Sequence, residues 1–141
     1  MAAAVKFQQF AEDLAKGIHD FDAHTFKIYL TNATPNVSTN AIKADLTEIS
    51  AGSGYTAGGN TCAFVSSEQT SGVLKFILGN PATWTASGGT IGPFRYAVLY
   101  NDTSASDSLI QYWDYGSNLT MAIGESFSIT LDATNGVLTI T

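Results

Sequence analysis

The stretch that most constrains the fold is the aromatic-rich segment 91–116, which indicates two strands joined by a polar turn. The first predicted strand is FRYAVLY at 94–100, and the second is LIQYWDY at 109–115. The intervening segment NDTSASDS, at 101–108, is polar or small throughout. Aromatic and β-branched residues on both sides of such a turn are typical of a β-hairpin. We expect this hairpin to be the centre of the core.

The hairpin also predicts a register. If the strands meet directly at the turn, the facing pairs are Tyr100 with Leu109, Tyr96 with Trp113, and Arg95 with Asp114. Arg95 is the only arginine of the chain. An opposed Arg–Asp pair would fix the register, because a slip by one residue turns every side chain to the other face. We therefore predict Arg95 and Asp114 as a structural pair, with the alternative that Arg95 binds a carboxylate of a partner.

The rest of the chain predicts further short strands, over 25–31, 61–65, 73–78, 83–85, 125–131 and 137–141. Segment 41–49 is ambiguous, and we favour a short helical turn entering a strand near Thr47. The Asn135–Gly136 dipeptide is a strong hairpin signal, so we expect a tight turn between the last two strands. About eight short strands separated by turns indicate an all-β, antiparallel sandwich, with a jelly roll as the leading candidate. No internal repeat is visible, and 1–141 predicts a single domain.

One helix is predicted, over 3–16, and it belongs to an N-terminal segment 1–17 packed on or beside the sandwich. Phe7, Phe10 and Leu14 follow helical spacing and form one apolar face, and Gly17 supplies a C-terminal stop. A helix this short is marginal alone and must pack against something. Either it lies across the sheet or it docks on a partner, which makes these three residues a candidate contact surface.

Charge and composition argue against several classes of function. The net charge is −6, and the five lysines are scattered along the chain. Without a basic stripe, we expect binding neither to nucleic acid nor to an anionic membrane. The sequence shows no stretch of transmembrane length and no apolar signal-peptide run at its start. Cys62 is the only cysteine, so no intrachain disulfide is expected, which suits a protein made in a reducing cytoplasm.

Candidate chemistry is sparse. Segment 19–24, HDFDAH, contains two histidines and two aspartates, which are legitimate metal ligands. The chain has no further histidine and the spacing fits no established motif, so a polar loop is favoured and we predict neither metal nor cofactor. The carboxylates of Asp102, Asp107 and Asp114 lie in no catalytic pattern, so we predict no enzymatic activity. An alternative function is a carbohydrate-binding module, with stacking platforms at Trp84, Trp113, Tyr112 and Tyr115.

Four sequence blocks, in this order, resemble a family of small proteins of tailed bacteriophages. The blocks are GYTAGG at 54–59, WTA at 84–86, YAVLYND at 96–102 and YWDYGS at 112–117. The opening is similar too, with GIHD at 17–20 and TFK at 25–27 after the short helix. The family consists of capsid cement, or decoration, proteins, and the resemblance implies a jelly-roll fold.

The resemblance also implies a structural role in the virion. Such a protein binds the outer surface of the assembled capsid and clamps neighbouring subunits of the major capsid protein. Members of the family often act as small symmetric oligomers. We favour a homodimer over a trimer here, because symmetric pairing through an edge strand would protect an open edge of the sandwich. The family supplies no catalytic residue and no motif for capsid contact, so Phe7, Phe10 and Leu14 are our candidates for contact with the capsid or with another subunit.

Overall fold

A computed structural model describes residues 3–141, which contain ten strands, one α-helix and one short 3-10 helix. The strands are β1 (Val5–Lys6), β2 (Phe26–Thr31), β3 (Asn60–Cys62), β4 (Phe64–Thr70), β5 (Val73–Leu78), β6 (Trp84–Thr85), β7 (Ile91–Asn101), β8 (Leu109–Met121), β9 (Ser126–Phe127) and β10 (Leu138–Ile140). The α-helix is α1 (Gln9–Ala15), and the 3-10 helix is Lys43–Asp45. The predicted all-β architecture with one short helix is confirmed.

The strands form three antiparallel sheets. One has five strands in the order β1-β8-β7-β2-β3, one has the order β10-β5-β4, and β6 pairs with β9. The main core joins buried side chains from all three sheets, such as Ile28 and Leu99 from the first, Phe76 from the second and Trp84 from the third. Among residues 3–141, no helix combines the length and the apolar character needed to cross a bilayer.

The outer face of the five-stranded sheet is covered as well. A second buried cluster there consists of Phe7, Tyr29, Leu46, Val98, Tyr100 and Leu109. Val37 and Ala33, from the loop after β2, pack against this cluster. Strands β2 and β7 therefore bury both of their faces. This explains why segment 96–100 shows a nearly continuous apolar run instead of the alternation expected of a strand with one wet face.

The β7–β8 hairpin forms as predicted, but its register differs. Tyr100 pairs with Leu109 as expected, whereas Ile110 is an extra residue on β8. Beyond this bulge the facing pairs are Leu99 with Gln111, Val98 with Tyr112, Ala97 with Trp113, and Tyr96 with Asp114. A bulge leaves one residue unpaired and shifts the pairs that follow. The predicted pairing of Tyr96 with Trp113 is therefore wrong.

The N-terminal segment is only partly helical, so the helix predicted over 3–16 is too long. Its first residues form β1, in which Val5 pairs with Tyr112 and Lys6 with Gln111. Helical spacing was overridden here because the edge of β8 offers the backbone groups of this segment hydrogen-bond partners. The helix ends as predicted, since Gly17 has a φ of +75° and its N–H donates to the Leu14 carbonyl.

The segment after β8 departs further from prediction. Strand β8 continues to Met121, where a loop was expected after Gly116, and the predicted strand 125–131 is a strand only at β9. The Asn135–Gly136 turn is present, but it does not join a hairpin, because β10 pairs with β5. The Val137 N–H donates to the Phe76 carbonyl at 2.7 Å, and this contact directs the chain end to β5.

Candidate functional site

An open cleft of about 400 Å³ lies where β7 and β8 separate. Its lining comes from three segments, 94–97, 113–115 and 127–130. The ladder between β7 and β8 is interrupted here, since Tyr96 pairs with Asp114 but the next pair is Phe94 with Leu119. Between these pairs β8 has four residues, 115–118, whereas β7 has only Arg95. The segment at and after β9 lines the cleft as well.

Arg95 and Asp114 form a two-point ion pair in this cleft. Arg95 Nε donates to Asp114 Oδ1 at 2.8 Å, and Nη2 donates to Oδ2 at 3.1 Å. The N–H of Gly116 donates to the same carboxylate at 2.8 Å. These donors, the guanidinium first, hold the pKa of Asp114 below its ordinary value, and the carboxylate raises the pKa of Arg95. Both groups are therefore charged at neutral pH. The predicted pair is present, although Tyr96 and not Arg95 is the cross-strand partner of Asp114.

Aromatic side chains surround this pair. Tyr96 and Trp113 are buried, whereas Tyr115 is 56% exposed. The Tyr115 ring meets the Phe127 ring edge-on, with 5.8 Å between centroids. The Phe127 ring in turn packs on the ring of the buried Phe94, with 5.0 Å between centroids. Tyr115 is thus supported from below while much of its ring stays accessible to a ligand.

A second cavity of about 390 Å³ adjoins the first, because Trp113 and Thr130 line both. Its other walls come from Ala4 and from the turn that precedes β10. Trp113 therefore borders both cavities.

The residues predicted to contact a partner do not share an exposed surface. Phe7 is 2% exposed and belongs to the outer-face cluster, and Phe10 is 5% exposed and stacks on Phe21 in the main core. Leu14 is half-buried against the main core. Helical spacing correctly identified apolar residues, but Phe7 precedes α1 and is buried in the outer-face cluster, whereas Phe10 and Leu14 of α1 turn towards the main core. Phe7 and Phe10 therefore have no surface to offer to a capsid or a subunit, which corrects the prediction.

Two adjacent apolar side chains are exposed instead on β4. Phe64 is 41% exposed and its neighbour Val65 is 58% exposed. Strand β4 is an edge of the three-stranded sheet and, with seven residues, is the longest edge strand in residues 3–141. Val65 forms a bulge, and residues 66–70 then pair regularly with β5. Edge position depends on the assembled topology, so the sequence pattern of 61–65 did not reveal it.

The histidines of segment 19–24 converge on one amide. Asn101 Nδ2 lies 3.1 Å from His19 Nδ1 and 2.9 Å from His24 Nδ1. Burial lowers the pKa of His19 to about 4, and His24 adds to the effect while Asp13 opposes it. Within residues 3–141 no three His, Cys, Asp or Glu side chains are arranged to hold a metal ion. The cluster anchors the loop before β2 to the end of β7.

The sequence blocks that resemble the phage family meet one another in space. The Tyr55 hydroxyl accepts from the Leu30 N–H at 3.1 Å and donates to Glu48 at 2.6 Å. The Tyr55 ring lies 6.5 Å from the Trp84 ring. The Tyr100 hydroxyl donates to the Gly58 carbonyl at 2.7 Å. The first three blocks therefore hold the fold together, and the start of the third, Tyr96 and Ala97, lines the cleft together with residues 113–115 of the fourth.

Cys62 lies in the main core, and burial raises the pKa of its thiol to about 12. It therefore packs as a small apolar side chain rather than acting as a nucleophile.

Comparison of the chain with protein-family models, with curated proteins and with solved structures gives no match.

Proposed function

We propose that this protein is a structural virion protein that binds the outer surface of an assembled bacteriophage capsid and clamps neighbouring subunits of the major capsid protein. The four sequence blocks support the family, and the free edge of β4, with its exposed Phe64 and Val65, supports an attachment surface. The edge carries the proposal, because it offers a partner both apolar side chains and backbone hydrogen-bonding groups.

Edge strands with open backbone groups are templates for another strand, and soluble proteins commonly guard them with lysine or proline. Strand β4 contains neither, and its one charged residue, Glu68, lies opposite Lys75 of β5. An extended segment of a capsid subunit can therefore add to this edge by main-chain hydrogen bonds, while Phe64 and Val65 select the register. The other sheet edges in residues 3–141 are shorter, at two or three residues each, in β1, β3, β6, β9 and β10.

Clamping needs only modest affinity at each contact. Copies that span two subunits gain from multivalency, and a protein that binds only the assembled shell stabilises it by mass action. We also propose that the protein acts as a homo-oligomer, with a dimer favoured over a trimer. Sedimentation velocity of the purified protein measures that state directly.

Co-sedimentation tests the proposal with capsids of the same phage that lack this protein, before and after shell expansion. Saturable binding and a higher melting temperature of the shell are expected. The double variant Phe64→Ser, Val65→Ser should lose most of this binding. Ile123→Ser is the matched control, because Ile123 is also exposed but belongs to the connection between β8 and β9. Absence of wild-type binding to both shells would contradict the proposed function, whereas equal binding by both variants would reject only the β4 surface.

The second candidate function is carbohydrate binding by a β-sandwich module of the virion. The exposed Tyr115 beside the Arg95–Asp114 pair favours it, because an accessible aromatic ring next to fixed polar groups suits a sugar. A glycan array probed with the labelled protein tests this function. Reproducible, saturable signals are expected, and an array without signal would remove the candidate.

A further inference from the structure

We propose that the cleft beside Arg95 and Asp114 binds an uncharged pyranose ring, with Tyr115 as the stacking platform and the ion pair as the hydrogen-bonding group. This inference rests on the second candidate function, carbohydrate binding, and is independent of capsid clamping. Tyr115 belongs to β8 in the five-stranded sheet, whereas the exposed edge of β4 belongs to the three-stranded sheet, so the two sites are separate surfaces.

The cleft has the size and the lining of a small-molecule site. Its volume of about 400 Å³ lies within the range of roughly 300–1,000 Å³ typical of ligand sites. Phe94, Ala97 and Ile129 give it an apolar floor, and a few polar groups converge on it. Such sites usually use apolar walls for affinity and a small number of placed polar groups for orientation.

Tyr115 is held in place for stacking. Its contact with Phe127, which itself rests on Phe94, reduces the number of orientations open to the ring. A ring that is already ordered loses less conformational entropy when a ligand binds. The C–H face of a pyranose is apolar, so it can cover the exposed ring while its hydroxyls point towards polar neighbours.

The ion pair supplies those neighbours. Arg95 donates to Asp114 through Nε and one hydrogen of Nη2. Its third nitrogen, Nη1, makes no hydrogen bond within residues 3–141. A guanidinium has five N–H donors, and a carboxylate accepts several hydrogen bonds. Donor and acceptor therefore lie side by side in one rigid unit. Adjacent sugar hydroxyls, each able to donate and to accept, match this arrangement.

The same pair disfavours acidic sugars. Asp114 already neutralises Arg95, and the Gly116 N–H occupies the carboxylate further. A ligand carboxylate placed in the cleft would lie close to the Asp114 carboxylate, and the chain as a whole carries a net charge of −6. Like charges at short range are destabilising. The electrostatics therefore select a neutral hexose over its uronic acid.

An NMR titration of the full chain tests the inference. The probes are the methyl glycosides of glucose, galactose, mannose and N-acetylglucosamine, together with methyl glucuronide. We expect saturable shifts for at least one neutral glycoside in the amides of segments 94–97, 113–115 and 127–130. The dissociation constant should rise at least fivefold in Tyr115→Ala and change less than twofold in Tyr115→Phe. Phe64→Ala is the matched control, as an exposed aromatic residue outside the cleft.

The outcomes separate this inference from the function on which it rests. If the array gives no signal and no neutral glycoside shifts any amide, both the carbohydrate-binding function and this inference are rejected. Array binding whose shifts map outside the cleft, or methyl glucuronide binding more tightly than methyl glucoside, would overturn the inference alone. Each variant is first compared with wild type by thermal melting and by its amide spectrum, so that a loss of binding reports on the cleft and not on folding. Asp114→Asn keeps the shape of the side chain but replaces the carboxylate, so its dissociation constant tests independently whether the ion pair contributes to binding.

Discussion

Arg95 Nε lies 2.8 Å from Asp114 Oδ1, although the residue opposite Asp114 in the ladder is Tyr96. The ion pair thus reaches diagonally across the sheet, at the point where β8 leaves the β7–β8 ladder. Where backbone hydrogen bonding lapses, a side-chain pair joins the two strands.

The first prediction concerns the coupling within this pair. Arg95→Ala and Asp114→Ala should each lower the urea midpoint of unfolding slightly, and the double variant should lower it by less than the sum. This coupling should shrink in 1 M salt, because exposed charges are screened. The control is the exposed ion pair between Glu12 of α1 and Lys16, the residue that directly follows the helix, and its two single variants and double variant are measured in the same way. Strictly additive effects of the two substitutions would show that the pair does not stabilise the hairpin.

Tyr55→Phe should destabilise the fold by about 1–3 kcal/mol, because it leaves the buried Leu30 N–H without its hydroxyl partner. It also removes one of the hydrogen bonds that Glu48 accepts. Urea unfolding at neutral pH measures the loss. Tyr115→Phe, at an exposed ring, should change the free energy of unfolding by no more than about 0.5 kcal/mol. Equal effects of the two substitutions would contradict the assigned role of the Tyr55 hydroxyl.

Alanine substitutions at two glycines with the same backbone conformation distinguish the cost of backbone strain from the cost of steric overlap by the added Cβ. Gly59 has a φ of +74° and Gly88 a φ of +75°. A Cβ on Gly59 would overlap the Ile28 carbonyl oxygen of β2, whereas one on Gly88 meets no atom within 4 Å in the described chain. Gly88→Ala should cost about 1–2 kcal/mol from the left-handed backbone. Gly59→Ala should cost a further 1–3 kcal/mol or so, because β2 has to move. Thermal and urea unfolding of both variants test this difference, and similar losses would refute it.

His19 predicts a dependence of stability on pH. Its folded pKa, about 4, lies below the ordinary value of 6.5, so the unfolded chain takes up this proton first as the pH falls. The stability that the depressed pKa of His19 contributes is complete above pH 6.5 and declines progressively as the pH falls towards 4. The urea midpoint of unfolding should therefore decrease from pH 7.5 through pH 6.5 to pH 5.5. This decrease should be smaller in His19→Gln than in the wild type. Parallel pH profiles for the two proteins would show that His19 is not the titrating group.

The hairpin and most strands could be predicted because their signal is local. The aromatic and β-branched residues of 94–100 and the apolar run 73–78 are sufficient to identify strands whatever they pack against. Segment 73–78 is a strand of the structure at the same residues, and the predicted segment 83–85 contains β6 at Trp84–Thr85. These patterns also indicated the antiparallel sandwich.

Features that depend on distant contacts could not be predicted. No local signal marks Ile110 as a bulge, so the register after it was wrong by one residue. Val5 became a strand because β8 pairs with it, although its surroundings have helical spacing. The cleft escaped prediction for the same reason, since segment 127–130 lies opposite Arg95 only in the folded chain. Exposure of Tyr115 and burial of Phe7 likewise follow from topology.

The double coverage of the five-stranded sheet has a consequence for hydrogen exchange. The amides at the centre of β2 and β7, such as Ile28, Leu30 and Val98, lie between two layers of buried side chains. No local fluctuation at a wet face can expose them, so they exchange with deuterium only when the whole sheet opens. Their exchange rates therefore report the global free energy of unfolding without denaturant. They provide an internal gauge for comparing the variants above, except that the Leu30 amide cannot serve for Tyr55→Phe, which removes its hydrogen-bond partner.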